Sequence, residues 1–409
     1  LTWVVISLIG AVPFTLSGQI PSYLDAVFET VSGFTTTGAS ILTDVEALDN
    51  GMLFWRSFTH WLGGMGILVF MLSLVNMGGQ ANHLLRAESP GPTVSKMVPN
   101  MRKSAAILYG IYIVMTAVEV VLLLIGGMPL FDSLCTAFGT AGTGGFGIKN
   151  SSMGYYDSYY LQGVVSVFMA LFGVNFNVYF FLLMKKYAMA WRNTEVRAYF
   201  AIIAGSTLII TLNILGMFPT AFDAFHHAFF AVSSVITTTG FSTTDFDLWP
   251  QLSRCILVLL MIVGACAGST GGGVKVTTFA VIILTIRSVA QGRDDCVIAE
   301  HHIESKTVYR ALTIIVLGGL AAVGSAVVVF YNTSDAVSVI DAIFESCSAF
   351  GTVGLSVGVT AQLNRGAKIL YMLVMFMGRV GPVSLAMSLT AKPDDNKRKI
   401  MPVGHINVG

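Results

Sequence analysis

TTTGAS at residues 35–40 returns three times along this chain, as GTGGFG at 142–147, TTTGFS at 237–242 and GTVGLS at 351–356. The glycine that closes each core falls at Gly38, Gly145, Gly240 and Gly354, so successive copies lie 107, 95 and 114 residues apart. Recurrence at near-equal intervals points to one structural unit used four times. Four units can surround a single axis. The fold class this predicts is an all-α membrane protein, with four helix–pore loop–helix repeats in pseudo-fourfold arrangement around a central ion pore.

Composition fits that class. The 409 residues are 54% hydrophobic and only 11% charged, with a mean hydropathy of +0.75. Soluble domains carry about 25% charged residues. A net charge of +1 argues against a nucleic-acid binder, which would show a basic face. Five isolated cysteines (135, 255, 266, 296 and 347) form no C-x-x-C pair, and imply neither a disulfide framework nor a metal site. With no initiator methionine, the chain is expected to begin inside a longer polypeptide.

Apolar runs long enough to cross a bilayer fall near 1–18, 53–78, 104–126, 158–187, 196–217, 251–290, 307–331 and 366–390. Each successive pair encloses a shorter half-polar segment that ends in the glycine core. The expected repeats are 1–78, 104–187, 195–290 and 306–390, the third with a broken second helix, followed by a cytoplasmic tail at 391–409. Asp25, Asp132 and Asp341 each precede their glycine by 13 residues, where they would cap a short helix. In the third copy that position is His227, and Asp223 stands one turn earlier, so this helix is expected to start one turn sooner. Most of the 23 basic residues lie in the junctions between repeats and in the tail, which places those segments in the cytoplasm and turns the glycine loops outward.

A dehydrated cation needs oxygen ligands at close range, and inward-facing backbone carbonyls supply them without net charge. Glycine tolerates the backbone angles this requires, and threonine can add a hydroxyl at the inner end. The candidate K+ filter is therefore Thr36, Thr37 and Gly38; Thr143, Gly144 and Gly145; Thr238, Thr239 and Gly240; and Thr352, Val353 and Gly354. The ion-contacting subset is Thr36, Thr37, Thr143, Gly144, Thr238, Thr239, Thr352 and Val353. The fourth copy begins like the potassium-channel filter TVGYG. One TTTG alone would be an ordinary loop; the recurrence in one topological slot is the specific signal.

A second candidate is the run Gly268, Ser269, Thr270, Gly271, Gly272 and Gly273 followed by Lys275, together with Arg379 in the last span. Small residues in mid-span should break the helix and leave a mobile segment that can act as a gate. Arg379 below the filter would repel a permeating cation. The plainer alternative is that Lys275 and Arg379 satisfy carbonyl oxygens at helix ends or pair with Glu119. The run is no Walker A loop, because Val276 stands where Ser or Thr is needed. Gly142-x-Gly144-x-x-Gly147 is no dinucleotide fingerprint, because it follows a helix. The pairs His226-His227 and His301-His302 make poor chelates, and no constellation suggests an enzyme.

DAVFETVSGFTTTGASIL at 25–42, HWLGGMGILV at 60–69, RAESPGP at 86–92, GSTGGGVKV at 268–276 and MGRVGP at 377–382 together resemble the Trk/Ktr/HKT superfamily of potassium transporters, most of all its bacterial TrkH membrane subunits. The resemblance covers essentially the whole chain. It implies K+ as the permeant ion with no other cofactor, a homodimer in membrane lipid of the bacterial inner membrane, and a TrkA-like cytoplasmic nucleotide-binding ring docked on the basic junctions. It also implies an intramembrane gating loop at 266–273 and a pore arginine at Arg379. In the plant branch a serine at the first-loop glycine accompanies sodium preference, so Gly38 favours potassium. Members of the TrkH group carry two further N-terminal helices that this sequence does not contain. The competing function is an ion-coupled secondary transporter (K+ with H+ or Na+) working by alternating access.

Overall fold

In the computed structural model the protein is described over residues 2–66, 101–292, 297–298, 301–332 and 337–389. The end of the second expected span, the 86–92 motif and the C-terminal tail lie outside these residues. Helices α1 (Thr2–Leu16), α4 (Met101–Ile125), α9 (Thr194–Ile214) and α13 (Ser305–Asn332) are the first helices of the four repeats. The short helices are α2 (Tyr23–Phe34), α5 (Leu130–Ala141), α10 (Ala221–Ile236) and α14 (Val339–Gly351). The second helices are α3 (Asn50–Gly64), α6 (Tyr159–Phe172), α11 (Gln251–Val263) and α15 (Arg365–Val380). Between and after them run α7 (Phe176–Leu183), α8 (Tyr187–Trp191), α12 (Val276–Ala290) and α16 (Pro382–Leu389). His301-His302 pairs with Val297-Ile298 in a two-residue antiparallel hairpin.

The packing is cyclic. The second helix of each repeat lies against the short helix of the next: α3 on α5, α6 on α10, α11 on α14, and α15 back on α2. Large apolar side chains on the first helices, among them Val114, Leu212 and Val323, face outward, while the threonines of the glycine cores are fully buried. A soluble fold does the reverse; apolar outside and polar inside is the arrangement that lipid requires.

The short helices are built alike. Asp25, Asp132, Asp223 and Asp341 all occupy the third helical position, so the third copy departs only in its helix length of 16 residues against 12 or 13. The hydroxyls of Thr220 and Ser338 do the capping, and only Asp341 completes a reciprocal capping box. The other three acids reach across to neighbours: Asp25 to Lys368 at 2.6 Å, Asp132 to Tyr156 at 2.7 Å and Asp223 to Tyr159 at 2.5 Å.

Among the described residues, three helices are long and apolar enough to span a membrane alone: Ser104–Ile125, Thr194–Met217 and Ser305–Asn332. The second spans are interrupted more widely than expected. Besides the break after α11, α6 and α7 meet at 90°, and α15 stops at Gly381, whose φ is +89°. Asn175 restarts the chain as α7 by accepting from Asn177 N, and Pro382 opens α16.

Candidate functional site

The four glycine cores share one backbone. Thr36, Thr143, Thr238 and Thr352 all have φ between +53° and +59°, and two residues on Gly38, Gly145, Gly240 and Gly354 lie between +72° and +84°. The cause is local. Each short helix ends with the residue after the threonine donating to a carbonyl five positions back: Thr37 to Ser32, Gly144 to Gly139, Thr239 to Ser234 and Val353 to Ser348, at 2.8–2.9 Å. This closure needs a left-handed residue, ordinarily glycine, at the helix end. A β-branched residue there costs about 1–3 kcal/mol. The backbone hand therefore alternates along each loop.

The loops meet as a ring. A Cβ on Gly38 would land on the carbonyl oxygen of Gly144, one on Gly145 on that of Thr239, one on Gly240 on that of Val353, and one on Gly354 on that of Thr37. Each glycine therefore sits against a carbonyl of the next loop, in chain order, until the fourth reaches the first. The carbonyl ends of all four short helices run into this ring, adding the negative ends of four helix dipoles to it.

The threonine hydroxyls divide into two sets. Those of Thr37 and Thr239 turn back to Thr35 and Thr237 at 2.8 Å. Of the inner hydroxyls, that of Thr143 donates to Gly142 O at 2.7 Å, while those of Thr238 and Thr352 face the segment between α11 and α12. Thr238 Oγ1 accepts from Gly272 N at 2.9 Å, and Gly272 approaches Thr352 so closely that a Cβ would strike its hydroxyl. Thr36 Oγ1 accepts from Arg379 Nη1 at 2.9 Å.

That segment contains the run 268–273, which crosses directly beneath the ring and is held by carbonyls exposed where other second helices end. Thr270 Oγ1 donates to Phe172 O at 3.1 Å, Cys266 N to Gly173 O at 3.1 Å and Gly273 N to Gly378 O at 3.1 Å. Ser269 Oγ donates to Cys266 O at 2.6 Å, folding the run on itself. Lys275 Nζ donates to Gly271 O and, at 3.0 Å, to Gly272 O. Arg379 joins the run to α3, donating to Thr270 O at 2.5 Å, Gly63 O at 2.5 Å and Gly64 O at 2.7 Å. Glu195 on α9 accepts from Ala267 N at 2.5 Å and from the Asn175 amide at 3.2 Å.

Sequence reasoning passed over two carboxyl groups behind the ring. Glu29 and Glu345 each precede their glycine by nine residues, a shared offset that was readable. Glu345 accepts from Ser356 Oγ, from Val357 N and Val359 N at 3.0 Å, and from Thr360 Oγ1 at 2.6 Å. Glu29 accepts from Ser40 Oγ at 2.5 Å, Ile41 N at 2.8 Å and Arg56 Nε at 3.0 Å. Each pins the chain leaving its loop. Removing Glu345 strands two buried donors, Val359 N and Thr360 Oγ1, each at about 1–3 kcal/mol. Glu345→Ala is therefore expected to lower the thermal unfolding midpoint of detergent-purified protein by several degrees, with Glu345→Gln recovering part of the loss. An unchanged midpoint would show that the pin carries no stability. His226 and His227 bond separate partners, Gln162 and Thr243, and do not converge.

Four helix–loop–helix repeats, closed so that each loop's glycine meets a carbonyl of the next, define an all-α membrane fold with fourfold pseudosymmetry. The sequence matches the model of the TrkH family, described as "Cation transport protein", over residues 1–400. The chain belongs to that family. It is 36% identical over 285 residues to the Trk system potassium uptake protein TrkH of Salmonella typhimurium, covering 68% of this chain but 58% of that protein. The chain thus spans less than two thirds of the length of such relatives. It is also 31% identical over 393 residues to an uncharacterized cation transporter of Methanocaldococcus jannaschii, covering 93% of this chain and 78% of that one. The crystal structure of the potassium transporter TrkH from Vibrio parahaemolyticus superposes with a TM-score of 0.81 at 28% identity, covering 95% of this chain and 83% of that one.

Proposed function

We propose that this protein carries potassium into the cell through the ring, with the carbonyls around Gly38, Gly145, Gly240 and Gly354 as ion ligands. The observation that carries the reading is the closure of four identically bent backbones, each glycine against the next loop's carbonyl. Carbonyl oxygens at fixed spacing replace the hydration shell of a cation whose size matches the ring, and four helix dipoles favour positive charge there. Family membership and the names of the relatives support potassium as the ion. In this reading the run 268–273 is the gate. It lies under the ring with Gly272 between Thr238 and Thr352, and Lys275 and Arg379 hold it in place. The basic repeat junctions then face the cytoplasm, where a nucleotide-binding ring would dock, and the protein works as a homodimer in the bacterial inner membrane.

Purified protein in liposomes tests both parts. Passive, saturable potassium uptake driven by the K+ gradient alone is expected, whereas flux that requires a proton or sodium gradient would favour the coupled-transporter reading. Deleting part of 269–273 is expected to raise single-channel open probability, because the bonds to Thr238, Phe172 and Gly378 disappear with it. Unaltered gating in that variant would reduce the loop to a packing break.

A further inference from the structure

One loop lacks a side chain that the others have. At the residue before the ring glycine stand Thr37, Thr239 and Val353, but the second loop has Gly144. The space behind Gly144 is nevertheless filled: a Cβ there would lie within 2.5 Å of carbons of the His60 ring. His60 comes from α3, the second helix of the preceding repeat. The corresponding positions on the other second helices hold Met169, Met261 and Met375, all fully buried. The register follows from contacts. Gly63 and Gly378 abut the carbonyls of Phe34 and Phe350, the carbonyls of His60 and Met261 face Gly142 and Gly351, and Gly64 and Gly173 abut the hydroxyls of Tyr112 and Tyr199. Thus the one imidazole in this series stands behind the one loop that is missing a side chain.

The imidazole also makes polar contact that a methionine could not. His60 Nδ1 accepts from Phe146 N at 3.4 Å, and the ring stacks on Phe146 at 4.1 Å between centroids and 13° between planes. The other face of Phe146 carries the Arg56 guanidinium at 3.7 Å. With Nδ1 accepting, the proton of a neutral ring resides on Nε2, which is buried without a hydrogen-bond partner among the described residues. Leaving that donor unpaired is a cost that demands a compensating role.

We propose that His60 is a positioning residue for ion selectivity, supplying from the neighbouring repeat the side chain that the second loop lacks and thereby fixing the Gly144 and Gly145 carbonyls. In loops one and three the same job is done within the loop, by the Thr37–Thr35 and Thr239–Thr237 hydroxyl pairs. Gly144 and His60 are then a matched pair: a side chain at 144 and an imidazole at 60 exclude each other.

The inference rests on the ring being the filter, and the test separates the two. Potassium and sodium fluxes are measured in liposomes for wild type, His60→Ala, His60→Asn, Gly144→Thr, the double variant His60→Ala/Gly144→Thr, and Gly145→Ser as a filter control. Monodispersity on size exclusion and thermal midpoint are recorded for each. His60→Ala is expected to lower the ratio of K+ to Na+ flux about tenfold. His60→Asn, whose Oδ1 can replace Nδ1, should retain most of the ratio. Gly144→Thr alone should abolish selective flux, and the double variant should regain selectivity beyond either single change. A ratio unchanged in His60→Ala, or a double variant no better than its parents, overturns the proposal if Gly145→Ser still abolishes flux. If Gly145→Ser leaves flux intact, the filter reading itself has failed and the proposal falls with it.

Discussion

Potassium flux should fall by at least about a hundredfold when serine replaces Gly38, Gly145, Gly240 or Gly354, because displacing a ring carbonyl costs at least the ~2.7 kcal/mol that such a factor represents. Two effects combine at these positions. Their φ values of +72° to +84° suit glycine alone, and the added Cβ would occupy the site of the next loop's carbonyl oxygen. The change therefore damages two loops at once, its own and its neighbour's. Gly205→Ser is the matched control, since a Cβ there meets nothing within 4 Å. Tracer uptake into liposomes reads the outcome. Four serine variants with wild-type flux and wild-type K+ preference would remove the ring from the transport path.

Arg379→Ala should have the largest effect in the opposite direction, raising potassium conductance by about ten- to a hundredfold if the closed arrangement loses ~1.4–3 kcal/mol, the worth of one or two charge-assisted hydrogen bonds. The guanidinium spans four acceptors, Thr36, Thr270, Gly63 and Gly64, and so ties the ring, the loop and the end of α3 into one body. In the proposed reading it also places a positive charge beside the ion's inner exit. Alanine removes both the tie and the charge. Arg379→Lys keeps the charge but cannot reach four acceptors with one ammonium, so its conductance should lie between the two. Single-channel recording distinguishes the contributions: a longer open time reports the tie, and a larger unitary current reports the charge. Unaltered records in Arg379→Ala would deny it both roles.

The four glycine cores were legible in the sequence because backbone geometry this demanding restricts residue choice locally. So was the break at 268–273, where glycine is concentrated enough to end a helix without any knowledge of its surroundings. What stayed hidden was relational. Nothing in TTTG tells which loop its glycine leans on, because that partner lies about a hundred residues away. Thr37 and Thr239 stand in the candidate ion-contacting set from one dimension, and only the structure reveals that their hydroxyls bond Thr35 and Thr237. The break at Gly173 was masked by an apolar run continuing on both sides, and only the carbonyls it exposes to Cys266 and Thr270 explain why the helix stops there. Glu29 and Glu345 could have been found by aligning the copies on their glycines, but Thr136 and Ala231 at the same offset dilute the pattern. His60 needed the structure outright, since its partner Gly144 is notable only for what it does not have.

The order in which the ring closes bears on how such a protein can be made safely. Gly354 rests on Thr37, Lys368 reaches Asp25, and α15 packs on α2, so the fourth repeat, made after the other three, completes the first. A nascent chain that has delivered three repeats holds an unclosed arc, with one loop lacking its neighbour at each end and no fixed ligand sphere for an ion. In the proposed reading a conducting path through the ring forms only after residue 354 has been translated and docked, and chains abandoned before then are expected to leave the membrane without a selective leak.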